Sequence, residues 1–276
     1  MQRPKSAPKT VLCIHDLSSV GRAGLSTICP ALAVMGVQAI ALPTSVLSTH
    51  TGGLGDPVVM SGGGYGQAAL DHFAQLGLEF DGIYSGYLSN LNQAQLVRKA
   101  FSLWPKAYKM VDPVMGDHGR LYSGIYPELA VAMQDLARQA DLIVPNLTEA
   151  CLLLGKPYQE KEFTKAEASQ LAQELTALCP NVVITGLPMG KYLGCAGAGE
   201  ENFVIQKPFL SRSYPGTGDL FGAVLLGGLF RGNALSAAVD NAAAFVSHCI
   251  ELTPPEADPR LGVWLEKALA QPERKI

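Results

Sequence analysis

A carboxylate stands in the first turn of a long apolar helical segment, directly after a glycine-rich turn. The turn reads Gly216-Thr217-Gly218-Asp219, and the apolar run 220–230 follows it at once. Small residues let backbone N–H groups converge on an anion where the helix dipole is positive. The pattern predicts an anion hole for a phosphoryl group in transfer, with Asp219 as the base for an attacking hydroxyl. The residues alone leave open that Asp219 only interacts favourably with the helix dipole.

Two further carboxylates, Asp112 and Asp117, occur at the end of an apolar strand. Asp112 comes directly after the strand, and Asp117 follows five residues later in a turn bounded by glycines. Mg²⁺ bound to ATP keeps several waters and uses one or two protein carboxylates, so the pair predicts a magnesium site. The same residues also fit a Pro/Gly turn in which an Asp side chain accepts a backbone hydrogen bond.

A third polar cluster, Asn146 with Glu149, follows the next apolar strand. The two residues have the spacing of a helix N-cap and its third helical position. A capping box explains both without any function. Because that helix would begin at the carboxyl edge of a sheet, Glu149 is also placed to hold a metal-bound water.

The elements that must position these residues are short β-type runs that alternate with segments of helical period. The alternation predicts an α/β fold, a mostly parallel sheet with helices on both faces, in which ligands bind beyond the carboxyl ends of the strands. The predicted strands are 10–14, 37–42, 82–85, 107–111, 141–144 and 182–185, with an antiparallel hairpin at 192–196 and 203–206. The predicted helices are 66–76, 93–103, 127–139, 165–178, 220–230 and 235–251. Thr164 and Glu167 have the spacing of a capping box at the start of the helix 165–178.

Domain organisation is predicted to be simple. No Pro-rich or Ser-rich linker, fixed-period repeat or low-complexity tract interrupts the chain, so residues 1–276 are interpreted as one domain. Residues 14–24 are predicted to leave the first strand and enter a helix; they lack the GxGxxG spacing of a dinucleotide site. Residues 48–66 contain glycines at 52, 53, 55, 62–64 and 66, and we interpret much of this segment as a mobile loop beside the site.

Composition excludes several classes of function. Of the 276 residues, 48% are hydrophobic and 16% charged, which is enough apolar surface for a substantial core. A net charge of −3 creates no field that attracts nucleic acid or an anionic membrane, and we expect neither as a partner. Six cysteines without a CxxC pair indicate thiols of a reducing compartment. No apolar run reaches the roughly 18 residues of a membrane span, so we expect a cytoplasmic protein.

Taken as a set, these motifs resemble the ribokinase-like superfamily, and within it the pyridoxal kinase family, along nearly the whole chain. The motifs that carry the resemblance are residues 21–24, 48–52, 112–117 with 145–149, and 216–219, and Ser85-Gly86-Tyr87 also points to this branch. The resemblance implies a three-layer α/β/α sandwich, a homodimer, and phosphorylation of the 5′-hydroxyl of pyridoxal, pyridoxine or pyridoxamine by ATP with Mg²⁺ and a monovalent cation such as K⁺.

The resemblance also implies a role for each matching position. The catalytic set is Asp219 as base with Gly216, Thr217 and Gly218 as anion hole. The ATP-binding set is Asp112, Asn146, Glu149, Thr185, Thr217 and Gly218, and the metal set is Asp117, Asp112 and Glu149. The substrate-binding set is Asp16, Val46, Leu47, Thr51, Tyr87 and Asp219.

One residue departs from the family pattern. Asp16 stands where vitamin B6 kinases often have serine, and we hypothesise that its charge favours the amine of pyridoxamine. Among the histidines, His15, His72, His118 and His248 lack metal-ligand spacing and are interpreted as structural or solvated.

Two other functions remain open. Hydroxymethylpyrimidine kinase of thiamine synthesis shares the fold and the Gly-Thr-Gly-Asp end, although the seven positions from Asp16 to Ala23 favour the vitamin B6 branch. A vitamer-binding protein without catalysis is the second alternative, and the intact turn before Asp219 argues against it.

Overall fold

A computed structural model of the chain describes residues 4, 6–61, 63–122 and 124–271. The chain divides into two compact units. The first consists of Met1–Tyr84, Lys99–Ala107 and Leu210–Ile276, and the second of Ser85–Arg98 and Tyr108–Phe209. The interpretation of residues 1–276 as a single ribokinase-like domain stays a prediction.

Strands and helices alternate along the described residues, as the sequence pattern predicts. The strands are β1 (Lys9–Val20), β2 (Val37–Thr49), β3 (Val59–Ser61), β4 (Gly82–Ser85), β5 (Tyr108–Val111), β6 (Gly116–Asp117), β7 (Arg120–Leu121), β8 (Leu142–Ile143), β9 (Val182–Met189), β10 (Tyr192–Ala198) and β11 (Phe203–Pro208). The helices are α1 (Leu25–Val34), α2 (Tyr65–Gln75), α3 (Leu91–Leu103), α4 (Pro127–Ala137), α5 (Leu147–Leu154), α6 (Lys165–Leu175), α7 (Thr217–Phe230), α8 (Leu235–Leu252) and α9 (Leu265–Leu269), with a 3₁₀ helix at Pro259–Leu261.

The first unit is built on strands in the order β4-β1-β2-β3. β1 and β2 pair in parallel, and β3 adds an antiparallel edge to β2. Helix α7 packs against α1 and α8, and its residues from Leu220 to Gly228 are all buried. A helix that is apolar all round is stable only when it is enclosed, so packing fixes the position of its first turn.

The second unit contains strands in the order β11-β10-β9-β8-β5. β5, β8 and β9 run parallel, whereas β9, β10 and β11 form the antiparallel pairs predicted for a hairpin at this edge. Helices α5 and α6 each begin with a complete capping box, Asn146 with Glu149 and Thr164 with Glu167. Both capping boxes were predicted from residue spacing, and both are confirmed.

Two predicted boundaries near the N-terminus are wrong. The first two strands were expected to end at residues 14 and 42, but they continue to Val20 and Thr49. Residues 15–20 therefore stay in the strand, and α1 begins only at Leu25. The reason is the long parallel ladder between the two strands, which supplies backbone hydrogen bonds to polar residues that carry no strand pattern of their own.

The glycine-rich segment 48–66 was expected to lack regular structure, which is wrong for its centre. Val59–Ser61 forms β3 and pairs with residues 45–47 of β2. Gly62 lies outside the described residues. Partner strands decide pairing at such a site, because an edge strand needs only backbone groups to extend a sheet. Mobility of the rest of the segment stays a prediction.

None of the helices found within residues 4, 6–61, 63–122 and 124–271 is long and apolar enough to cross a membrane. All six cysteines are free thiols, and five of them are buried. The reducing compartment inferred from their spacing stays a prediction.

The cap of α6 provides a test of the fold. Thr164 is exposed; its hydroxyl accepts the Glu167 N–H at 3.2 Å, and its own N–H donates to the Glu167 carboxylate at 2.8 Å. Thr164→Ala removes one side-chain acceptor and is expected to lower the free energy of unfolding by about 1 kcal/mol. Urea denaturation measures the loss. Ser169→Ala within the same helix is the matched control, and equal midpoints for the two variants would contradict the assignment of the cap.

Candidate active site

The turn before α7 is closed on one side and open on the other. Gly216 is the N-cap and has a left-handed backbone with φ of 77°. A methyl group at Gly216 would collide with the backbone carbonyl of Arg22, whereas one at Gly218 would meet no atom within 4 Å. The Thr217 hydroxyl donates to the Tyr214 carbonyl at 3.0 Å and so braces the turn. The N-terminal amides of α7 therefore have an accessible face suited to an anion.

Asp219 lies in the first turn of α7 and is held through both carboxylate oxygens. Oδ2 accepts the Gly24 N–H at 2.7 Å, and Oδ1 lies 3.0 Å from Nε2 of His15. The side chain is 13% exposed, so a small part of the carboxylate stays accessible. This geometry fits a carboxylate that receives a proton at a fixed position.

His15 lies between two carboxylates. Its Nδ1 is 2.7 Å from Oδ1 of Asp16, and its side chain is only 3% exposed. Burial opposes a charge on the ring, but the carboxylates of Asp219 and Asp16 outweigh it and raise the pKa of His15 well above its usual value. The interpretation of His15 as structural or solvated missed the contact with Asp219. The available signal was the His-Asp pair on an apolar strand, which spacing rules for metal ligands do not test.

Asp16 is buried, and both of its oxygens are engaged. Oδ1 faces His15, and Oδ2 accepts the Ser18 hydroxyl at 3.1 Å. Burial acts to raise the pKa of Asp16, but hydrogen bonding to His15 and the charge of the imidazole lower it below its usual value. The predicted contact with a substrate amine stays a prediction, and the negative charge that motivated it is already compensated within the protein.

An irregularity in β2 lies beside this cluster. His15 pairs with Pro43 and Leu17 with Val46, so β2 has one residue more than β1 between the two pairs. A β-bulge of this kind re-aims side chains and is frequent next to active sites. It is invisible in the sequence because nothing local distinguishes the extra residue.

The predicted substrate contacts lie in different parts of the chain. Val46 is half-buried and Leu47 is 5% exposed, both near the end of β2, and Thr51 is exposed just beyond it. Tyr87 belongs to the second unit, where it is half-buried. The first three are therefore near one another in the chain, and their contact with a vitamer stays a prediction.

His50 anchors the start of the glycine-rich segment. Its Nδ1 accepts the Gly52 N–H at 2.9 Å, and its Nε2 lies 2.6 Å from the Arg260 carbonyl, to which it donates. These contacts fit a ring with Nε2 as the donor and Nδ1 as the acceptor. His50 belongs to the motif 48–52 that carries the family resemblance, and the geometry gives it a structural part in holding Thr51 in place.

Glu149, in the second unit, is occupied by backbone donors. One oxygen accepts the Met115 N–H at 3.0 Å and the other the Asn146 N–H at 2.8 Å, and the residue is 2% exposed. Burial, followed by the nearby charge of Asp112, raises the pKa of Glu149 well above its usual value. The magnesium role implied for Glu149 stays a prediction.

Adjacent strand ends in the second unit bring three predicted nucleotide contacts together. Asp112 directly follows β5 and is 8% exposed. Asn146 forms a β-bridge with Thr185 of β9, and its side-chain amide donates to the Gly116 carbonyl at 2.8 Å. Asp117 lies in the small hairpin of β6 and β7, where its carboxylate accepts the His118 N–H at 2.8 Å, and its side chain is 49% exposed.

No group of three or more His, Cys, Asp or Glu side chains that could hold a metal occurs in the described part of the chain. Asp112, Asp117 and Glu149 thus do not form a cage made by protein alone. A magnesium ion carried by ATP requires only one or two carboxylates, since phosphate oxygens and water fill the other positions. The magnesium assignment stays a prediction.

The packing of Gly216 in the Gly216–Gly218 turn can be tested by substitution. Gly216→Ala forces a side chain into a left-handed backbone that lies against the Arg22 carbonyl, and should lower the free energy of unfolding by at least about 1–3 kcal/mol. Gly218→Ala, in open space and with a helical backbone, should leave stability unchanged or raise it by up to about 1 kcal/mol. Thermal unfolding of both variants provides the comparison, and similar unfolding temperatures would contradict the proposed packing.

Comparison with known proteins places the chain among kinases. Residues 19–262 match the family model described as phosphomethylpyrimidine kinase. The pyridoxine/pyridoxal/pyridoxamine kinase of Bordetella bronchiseptica is 29% identical over 267 residues, which cover 89% of this chain and 90% of that protein. A Saccharomyces cerevisiae relative is matched over 175 residues, so the aligned part spans 54% of its length.

Solved structures agree along almost the whole chain. The pyridoxal kinase of Lactobacillus plantarum is 34% identical with a TM-score of 0.86, covering 95% of this chain and 97% of that one. A Bacteroides thetaiotaomicron protein in a crystal form with pyridoxal is 34% identical with a TM-score of 0.89, covering 95% of this chain and 94% of that one. These likenesses confirm the predicted ribokinase-like α/β fold. Because the family model matches most of its length, the chain belongs to the phosphomethylpyrimidine kinase family.

Proposed function

We propose that the chain is a vitamin B6 kinase, which transfers the γ-phosphoryl group of Mg-ATP to the 5′-hydroxyl of pyridoxal, pyridoxine or pyridoxamine. The observation that carries the proposal is the Asp219 carboxylate, held through both oxygens in the first turn of α7 beside the open face of the Gly216–Gly218 turn. The solved relatives of similar length that are 34% identical include a pyridoxal kinase and a protein crystallised with pyridoxal.

The chemical step follows from these groups. Asp219 accepts the proton of the 5′-hydroxyl while the oxygen forms a bond to the γ-phosphorus. The bond between the γ-phosphorus and the bridging oxygen of ADP breaks, and ADP leaves with that oxygen. The amides of Gly216, Thr217 and Gly218 stabilise the negative charge on the phosphoryl oxygens, which is largest in the transition state.

The nucleotide phosphates are assigned to the polar strand ends of the second unit. Asp112, Asn146 and Thr185 are the contacts proposed for them, with Asp117 and Glu149 in the surroundings of Mg²⁺. Mg²⁺ would neutralise phosphate charge and orient the γ-phosphoryl group. A monovalent cation, a homodimer and a cytoplasmic location belong to the same proposal and rest on resemblance alone.

A second candidate is phosphorylation of hydroxymethylpyrimidine, which is related to the phosphomethylpyrimidine that the description of the matching family model names. Both acceptors present a hydroxymethyl group on an aromatic nitrogen ring, so the same base and anion hole serve either. Discrimination between them depends on the ring contacts proposed for Val46, Leu47, Thr51 and Tyr87.

Steady-state kinetics tests the activity and the base together. ADP release should be observed with at least one of pyridoxal, pyridoxine and pyridoxamine, at a higher kcat/KM than with hydroxymethylpyrimidine. Asp219→Asn should lower kcat by about 10²–10⁴-fold with little change in the KM for ATP, as expected when a general base is removed. Asp240→Asn on α8 is the matched control. Turnover of none of the acceptors by the wild type would refute kinase activity, and near-wild-type turnover by the Asp219→Asn variant would refute the base.

A magnesium titration tests the role proposed for Asp117. Asp117→Ala should raise the Mg²⁺ concentration required for half-maximal activity at fixed ATP, because a carboxylate near the phosphates helps to retain the ion or its waters. Asp135→Ala removes a similarly exposed carboxylate from α4 and serves as the control. An unchanged magnesium titration would return Asp117 to a structural part in its hairpin.

A further inference from the structure

We propose that His15 is a positioning residue for Asp219: the ring, itself held by Asp16, fixes the orientation of the carboxylate for proton transfer. The inference rests on the proposed function and deepens it, since the reaction as written needs a carboxylate that is both charged and immobile. His15 touches Asp219 but is assigned no contact with substrate.

The first support is a continuous chain of short contacts. The Ser18 hydroxyl donates to Asp16 at 3.1 Å, Asp16 lies 2.7 Å from Nδ1 of His15, and Nε2 of His15 lies 3.0 Å from Asp219. Nδ1 thus faces the Asp16 carboxylate, with the Asp16 backbone N–H also 3.0 Å from it, and Nε2 faces the Asp219 carboxylate. If the ring served only to pair with Asp16, its second nitrogen would not have to point at Asp219, the predicted base.

The two carboxylate oxygens of Asp219 have different hydrogen-bond partners. Gly24 N–H occupies Oδ2 at 2.7 Å, and His15 occupies Oδ1 at 3.0 Å. Two donors on different elements, the segment before α1 and strand β1, prevent rotation of the carboxylate plane. Each oxygen keeps a further lone pair, so a hydroxyl still has an acceptor at a defined position.

Two carboxylate charges, those of Asp16 and Asp219, lie against the His15 imidazole. The titratable groups that face the imidazole are Asp16 on its own strand, Asp219 from α7 and Tyr84 from β4, whose ring lies edge-on at 6.4 Å. Two carboxylates against one imidazole favour the protonated ring, and with the side chain 3% exposed little water competes for it. A protonated ring donates a charge-assisted hydrogen bond to Asp219, which is stronger and more directional than a neutral one.

The proton balance is simple. The hydroxyl proton moves to Asp219 and later leaves to solvent, while His15 remains protonated before and after the step. His15 is thus neither the acceptor nor a relay of the transferred proton. Its effect is confined to the orientation of the carboxylate that receives the proton.

Two substitutions separate charge from orientation. His15→Ala removes both and should lower kcat by about 10–100-fold, less than loss of the base itself, with KM values for ATP and vitamer changed by less than about three-fold. His15→Gln retains a donor without charge and should recover part of that loss. His248→Gln, at a buried histidine that contacts Gln271 at 3.1 Å, controls for loss of a buried ring.

The pH profile distinguishes positioning from a purely structural part. The wild type should lose kcat at alkaline pH: burial opposes a charge on His15 but the two carboxylates raise its pKa, and its deprotonation removes the charged donor to Asp219. This alkaline loss should be absent from the His15→Gln variant, whereas the profile of the His248 variant should match the wild type. Folded His15 variants with wild-type kcat, or a His15→Gln profile that keeps the wild-type alkaline loss, would overturn the inference.

A measurement on the wild-type protein covers the case in which the variants do not fold. Nitrogen-15 NMR of histidine-labelled enzyme should show both His15 ring nitrogens protonated at pH 7, and a neutral ring at that pH would overturn the inference. Failure of the proposed function is recognised separately. If Asp219→Asn keeps its turnover, the base is wrong; if that variant is inactive while His15→Ala is normal, only the part assigned to His15 is wrong.

Discussion

A buried imidazole between two carboxylates is the interaction on which the candidate site depends. His15 compensates Asp16 and Asp219 at once, with distances of 2.7 and 3.0 Å. Either carboxylate buried without a cationic partner would carry a large desolvation cost, so the three residues stabilise one another only as a set. The cluster therefore constrains where β1 and the first turn of α7 must lie within the first unit.

The backbone around this cluster is constrained just as closely. The Gly24 amide reaches Asp219, and the carbonyl of the neighbouring Arg22 packs on Gly216, so one short segment contacts both parts of the turn. The Arg22 guanidinium in turn donates to Glu266 and to the Leu261 carbonyl, at 2.9 and 3.1 Å. Glycine at 216 is required by both its φ of 77° and the lack of space for a side chain. Packing, as well as the proposed chemistry, thus explains the residue types in the Gly216–Gly218 turn.

The features predicted correctly from the sequence are those determined by residues close to one another in the chain. The Asn146–Glu149 and Thr164–Glu167 capping boxes and the strand Gly82–Ser85 follow from spacing and apolar pattern, and all three occur as predicted. The Asp219 position in a first helical turn was equally readable. The extension of β1 and β2, the strand β3 and the extra residue of β2 opposite Asp16 could not be predicted, because each depends on pairing with another strand. His15 was missed for the same reason, since its meaning depends on a carboxylate more than 200 positions away.

Asp16 and Glu149, a buried carboxyl from each unit, show how the surroundings of a carboxyl group set its pKa. Asp16 has its pKa lowered because hydrogen bonding to His15 and the charge of the ring outweigh burial, so it is anionic and fixes the ring. Glu149 has its pKa raised by burial and then by Asp112, although backbone amides stabilise its charge. Its contacts with Met115 and Asn146 are those of a cap that shapes the strand ends. A carboxyl committed to two backbone donors has little freedom to follow a moving ligand, whereas the half-exposed Asp117 in its hairpin can turn towards one. Of the two proposed metal contacts, Asp117 therefore has the freer side chain, whereas backbone donors fix the position of Glu149.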